Sequence, residues 1–137
     1  MKPVLLDTSC IVALLDRSEA HHEICAKAVS ETSFALVTCE PVIAEACYLL
    51  RKLRGAADAV LDNVGRGVFG IPFRIDQSIP PLRALMKKYA QVPMDLADAC
   101  LVHLATELGT GRILTLDGDF RIYRWGKSRP FELLIDI

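Results

Sequence analysis

The sequence predicts a three-layer α/β domain built on a mainly parallel central sheet. Three observations carry that expectation. Short apolar segments of strand length alternate along the chain with longer segments of helical periodicity. The first of them, Val4-Leu5-Leu6, is apolar without alternation, as suits a strand covered on both faces in a parallel sheet. No tandem hairpin signal links consecutive strands, so helical crossovers must do so.

Taken in order, the strand at 4–6 gives way to Asp7-Thr8-Ser9, and residues 10–15 read as a short helix capped by Thr8 or Ser9. After a polar break, 21–31 reads as a second helix with Ile24, Cys25 and Ala28 turned inward. Residues 34–38 form the next strand. Pro41 suits the first turn of a helix whose buried face takes Val42, Ile43, Ala46, Cys47, Leu49, Leu50 and Leu53, with Gly55 closing it. Residues 56–63 continue as helix. A poorer strand lies within 68–75, weakened by Gly70 and Pro72 and therefore expected at an edge. Pro80 and Pro81 open a helix that runs to about residue 90 and exposes Arg83, Lys87 and Lys88. The next helix, from Asp95 to Leu108, is nearly all apolar after its first turn. Gly109 and Gly111 then make a turn, 112–116 form a strand ending at Asp117-Gly118-Asp119, and 131–135 a last strand.

At 137 residues and 52% hydrophobic, the chain has the apolar content of a domain with a real core, which excludes disorder. Sixteen Lys and Arg against 17 Asp and Glu leave a net charge of −1, too little for binding duplex nucleic acid by bulk charge. The five cysteines, Cys10, Cys25, Cys39, Cys47 and Cys100, form no Cys-x-x-Cys pair and read as reduced core residues. The apolar run after Lys2 stops at Asp7, short of a signal peptide, and no stretch reaches the roughly 18 to 20 apolar residues of a membrane span. A cytoplasmic protein is expected.

Asp98 is the residue that organises the functional reading. It projects from the margin of the apolar stripe of Ala97, Leu101, Leu104, Ala105 and Leu108, half inside the core. An unpaired carboxylate there loses hydration at a cost of several kcal/mol, so it needs backbone donors, a basic partner or a cation. Asp95 takes the N-cap position of that helix. In parallel sheets ligands bind beyond the carboxyl ends of the strands. Asp7 and Asp117 end strands, while Glu45 and Asp98 stand early in helices, so all four reach one edge. Singly, each reads as a cap, a turn residue or a solvated charge, and Asp119 as a cap of the turn at Gly118. Together they describe a pocket that resists full ionisation unless a divalent cation fills it. Oxygen ligands without His or Cys favour Mg²⁺ or Mn²⁺ over zinc, and no H-E-x-x-H motif is present.

Leu5-Leu6-Asp7-Thr8-Ser9, Val42-Ile43-Ala44-Glu45, Leu96-Ala97-Asp98-Ala99 and Leu114-Thr115-Leu116-Asp117-Gly118-Asp119-Phe120 resemble the four acidic motifs of the PIN-domain ribonucleases, in the family's order and at similar spacing. The resemblance is closest to the VapC-like toxins of toxin–antitoxin pairs. It implies a three-layer α/β/α PIN-like domain over residues 1–137, with Asp7, Glu45, Asp98 and Asp117 as the acidic tetrad. Ser9 and Thr115 would be polar support, and Asp119 would share or replace the role of Asp117. It also implies Mg²⁺- or Mn²⁺-dependent hydrolysis of RNA, a homodimer, and a cognate antitoxin whose carboxyl-terminal segment covers the groove.

Competing readings differ in identifiable residues. A haloacid-dehalogenase-like phosphohydrolase needs a second Asp where this chain has Ser9. A non-catalytic PIN scaffold would have lost acids that are all present, and an RNA-processing nuclease without an antitoxin would share the whole site. Few polar residues fall in 10–15 and 41–53, so part of that surface is expected to meet another chain. For the RNA, Arg112, Arg121, Arg124, Lys127 and Arg129 are interleaved with Phe120, Tyr123 and Trp125 around the last acidic motif. They offer cations for phosphates and rings for base stacking, the alternative being a charged loop whose aromatics anchor in the core.

Overall fold

The computed structural model describes residues 2–136. Strand β1 (Val4–Leu6) is fully buried and sits at the centre of a five-stranded sheet. Its neighbours are β2 (Leu36–Val37) on one side and β4 (Arg112–Leu114) on the other. Outside them lie β3 (Phe69–Gly70) and β7 (Glu132–Leu133), giving the order β3-β2-β1-β4-β7. Every pairing in this sheet is parallel, with Leu5 opposite both Val37 and Ile113. The helices are α1 (Thr8–Leu15), α2 (His22–Glu31), α3 (Glu40–Leu49), α4 (Ala56–Gly65), α5 (Ile79–Lys88) and α6 (Leu96–Leu108). They flank the sheet as the crossovers of a parallel fold require. The sheet and its flanking layers share one apolar core that includes Leu5, Leu6, Ile11, Leu101, Leu104 and Phe120.

Several expectations are refined. Asp7, rather than Thr8 or Ser9, occupies the N-cap of α1, and its side chain accepts from the Thr8 N–H. Ile24 is largely exposed, whereas Cys25 is buried. Leu49, the last residue of α3, is exposed and Leu53 lies beyond the helix, so neither is part of its buried face. Gly55 does not close that helix; with φ of 78° it sets the start of α4, a conformation costly for residues with a Cβ. The third strand is short and lies at an edge as expected, and Ile75 falls in a separate 3-10 turn.

Two differences shape the site. Strand β4 stops at Leu114 because the next backbone groups leave the ladder. The Leu116 N–H donates to Ser9 Oγ (2.9 Å) and Thr115 turns its hydroxyl onto Asp7. The segment after Asp117 is a 3-10 turn (Gly118–Arg121) followed by an antiparallel hairpin of β5 (Arg124–Trp125) and β6 (Arg129–Pro130), which the sequence pattern does not signal. The hairpin lies over Gly111, where a Cβ would collide with the indole of Trp125. No helix among the described residues is long and apolar enough to cross a membrane.

Candidate metal and active site

The acids gather where the sheet geometry brings strand ends and helix starts together. Asp7 follows the last residue of β1, and its backbone N–H donates to Leu114 O across the sheet (3.1 Å). Its side chain is 5% exposed. Oδ1 accepts from the Thr8 N–H (2.8 Å) and Oδ2 from the Thr115 hydroxyl (2.6 Å). Burial, offset in part by these two donors and reinforced by the charges of Asp117 and Glu45, pushes its pKa up to about 6.

Asp98 lies in the first turn of α6, a helix buried on most of its circumference. Its backbone N–H is capped by Asp95 Oδ1 (2.9 Å), which bears out the N-cap reading of Asp95. Asp98 is 8% exposed, deeper than the half-buried position expected. The Tyr123 hydroxyl donates to Asp98 Oδ2 (2.8 Å). Burial raises the Asp98 pKa to about 7, opposed by the Tyr123 donor and assisted by the charges of Asp95, Asp7 and Asp117.

Thr115 joins the two strand-end acids. While donating to Asp7 it accepts from the Asp117 N–H (3.0 Å), and Ser9 Oγ lies 3.4 Å from the same hydroxyl. Asp117 Oδ1 in turn accepts from the Asp119 N–H (2.9 Å), which fixes the turn at Gly118. Burial and the charges of Asp117 and Asp95 raise the Asp119 pKa. One carboxylate oxygen each from Asp98, Asp117 and Asp119 lie within 4.8 Å of one another. Asp7, Thr8, Ser9, Glu45, Leu49, Asp95, Asp98 and Asp117 line a cleft of about 230 Å³.

The donor set fits a hard divalent cation. Three carboxylate oxygens within 4.8 Å of one another can converge on one small ion, and neither His nor Cys lines the cleft. The buried Thr8 hydroxyl has no hydrogen-bond partner among the described residues and stands on the same wall. Repulsion among the acids contributes to the raised carboxyl pKa values, and a cation relieves it.

The other predicted residues divide. Glu45 lines the cleft from α3 but is exposed and outside the tight triad. Arg112 does not reach the cleft: it begins β4, at the opposite end from Asp117, where it pairs with Glu132 (3.4 Å) and lies over Phe34. Arg121 and Lys127 are exposed. Arg124 is exposed too, yet its Nη1 donates to the carbonyls of Arg121, Ile122 and Tyr123, so one of its nitrogens binds the turn itself. The rings expected to stack on bases are withdrawn from solvent. Phe120 and Tyr123 are fully buried, and Trp125 is half-buried with its indole N–H on Pro130 O (3.1 Å). The anchored-aromatic alternative therefore describes this segment. The Tyr123–Asp98 bond had no signal in the sequence, since 25 residues and an irregular turn separate Tyr123 from its partner, and Thr8 read there only as a helix cap.

A parallel α/β domain with carboxylates gathered beyond the carboxyl ends of its central strands defines a class of acidic-site α/β proteins. The chain belongs to the PIN-domain family, whose family model matches residues 4–126. It is similar to ribonuclease VapC26 of Mycobacterium tuberculosis (strain ATCC 25618 / H37Rv), at 31% identity over 116 residues, covering 83% of this chain and 86% of that protein. Its fold matches the crystal structure of Mycobacterium tuberculosis VapC20, described as a sarcin-ricin-loop-cleaving toxin. That match has a TM-score of 0.81 and 20% identity, and covers 93% of this chain and 99% of the other.

Proposed function

We propose that this chain is an Mg²⁺- or Mn²⁺-dependent ribonuclease, a single PIN-like domain acting as the toxin of a toxin–antitoxin pair in the cytoplasm. The observation that carries the reading is the convergence of Asp98, Asp117 and Asp119, of which Asp98 and Asp117 line one cleft with Asp7, in a chain similar to a protein named as a ribonuclease. Asp98, Asp117 and Asp119 are the residues that would hold the ion. When bound, a divalent cation lowers the pKa of an attacking water and stabilises charge on the phosphate and leaving oxygen.

The protein's own residues prepare that chemistry. Thr115 locks Asp7 and Asp117 into one arrangement, and Ser9 holds the strand end that carries them. Asp7 and Glu45 extend the negative field along the cleft, while Arg121 and Lys127, exposed after the acidic turn, are the cations available to a phosphate chain. For partners, the reading includes a homodimer and an antitoxin whose segment covers the cleft. It is supported by the exposed Tyr48, Leu49 and Leu61 on α3 and α4, since Leu49 also lines the cleft.

The test is incubation of the purified protein with a mixed RNA pool, with Mg²⁺ or Mn²⁺ and with chelator, beside an Asp7→Asn variant. Cleavage that needs the metal and fails in the variant is the expected result. Cleavage that survives chelation, or is equal in the variant, overturns the reading.

A further inference from the structure

We infer that Tyr123 is a positioning residue for the metal site: its hydroxyl fixes the Asp98 carboxylate so that the other oxygen faces Asp117 and Asp119. The inference rests on the metal-dependent reading of the cleft and assigns to it a residue outside the acidic motifs.

The geometry is that of a built support. Tyr123 is fully buried and gives its only O–H to Asp98 Oδ2 at 2.8 Å. Among the described residues Asp98 Oδ1 has no hydrogen bond from the protein. The Tyr123 ring is clamped edge-on between Tyr89 and Phe120, with ring centroids 5.1 Å away on each side. The Tyr89 hydroxyl accepts from the Arg124 N–H (3.0 Å), which pins the backbone next to Tyr123. The Tyr123 N–H donates to Asp119 O (3.1 Å). One short segment therefore delivers two of the clustered aspartates and the donor that aims the third.

Hydrogen-bonded partners behind a carboxylate ligand set its orientation, and their loss typically costs about 10- to 100-fold in metal affinity or activity. A phenol suits the task because it donates a single bond from a rigid ring and brings no charge to compete with the ion. Purely structural packing would be served equally by phenylalanine.

The experiment compares wild type, Tyr123→Phe, Asp98→Asn and the double variant by Mn²⁺ binding, followed by electron paramagnetic resonance, and by thermal unfolding without metal. Phe131→Leu, which disturbs the same aromatic cluster at Phe120 rather than at Tyr123, is the packing control. Wild type is expected to bind Mn²⁺, Tyr123→Phe to bind it about 10- to 100-fold more weakly, and Phe131→Leu to keep its affinity to within about twofold. In the Asp98→Asn background the Tyr123 substitution should have no further effect.

Should Tyr123→Phe fail to fold, 3-fluorotyrosine in the otherwise native protein replaces it. The fluorine resonance of Tyr123, assigned by elimination with Tyr48→Phe and Tyr89→Phe, should shift on adding Mg²⁺, and a resonance that stays fixed overturns the inference. Unchanged Mn²⁺ affinity in folded Tyr123→Phe, with binding lost in Asp98→Asn, overturns this inference alone. A wild type that binds no Mn²⁺ overturns both it and the metal reading.

Discussion

At the residue scale, the site is a contest between burial and charge. Asp7 and Asp98 ionise at about pH 6 and pH 7 in the folded chain, whereas aspartates of an unfolded chain titrate near 3.9. Between about pH 4 and pH 7 the folded state therefore binds more protons than the unfolded one, and metal-free stability falls as pH rises through that window. Thermal melts at pH 5 and pH 8 without metal should show the higher Tm at pH 5. Asp98→Asn should raise the Tm at pH 8 by several degrees, about 1–3 kcal/mol, and flatten the pH dependence, because the amide cannot carry the unfavourable charge. Thr115→Val works in the opposite sense. It removes the donor that stabilises ionised Asp7, so it should cost about 1–3 kcal/mol at pH 8 and less at pH 5. Sequence pattern alone gathered Asp7, Glu45, Asp98 and Asp117 at one edge, because strand ends and helix starts are readable from it, and the family resemblance added Asp119. It could not show which three come within 4.8 Å, nor that Tyr123 and Thr8 stand behind them, since those distances depend on the turn after Asp117.

At the scale of elements, the turn and hairpin from Gly118 to Pro130 join the core to the site. Phe120 packs edge-on against Tyr123 and Phe131, with centroids 5.1 and 5.3 Å away, and the hairpin sits on Gly111. Phe120→Ala should cost about 3–5 kcal/mol by leaving a cavity, and Gly111→Ala about 1–3 kcal/mol by overpacking against Trp125; denaturant unfolding midpoints measure both. The basic residues of this segment separate by what they already touch. Arg121→Ala should weaken RNA binding and lower the salt slope by about one unit or less for each phosphate that is no longer neutralised, measured by binding isotherms over a salt series. Arg124→Ala should also lower stability, because its Nη1 holds three backbone carbonyls. The strand and helix order was legible because apolar runs and helical stripes alternate cleanly. The hairpin was not: Arg124, Trp125, Arg129 and Pro130 carry no alternation, and their pairing is held by Trp125 on the Pro130 carbonyl. The same pattern, charged residues among aromatics, fits an open stacking surface and an anchored loop alike, and only burial separates them.

At the scale of the molecule, a fully parallel five-stranded sheet delivers acids from both sides of β1 to one edge, while α3 and α4 leave Tyr48, Leu49 and Leu61 outside the core. Those side chains are large and more than half exposed, and the proposed homodimer would cover them. Light scattering at micromolar concentration should report a dimer, and Leu49→Arg with Leu61→Arg should shift it toward monomer without lowering the metal-free Tm by more than a few degrees. On the proposed reading, the cluster of Asp98, Asp117 and Asp119 binds the ion that makes the chain a nuclease. The most direct measurement follows Mn²⁺ binding and RNA cleavage in the same metal-free sample as the ion is titrated in, for wild type and Asp98→Asn. Cleavage by wild type should rise in step with Mn²⁺ occupancy, and the variant should lose both. Cleavage at full rate before any Mn²⁺ is bound, or retained by Asp98→Asn, would contradict it.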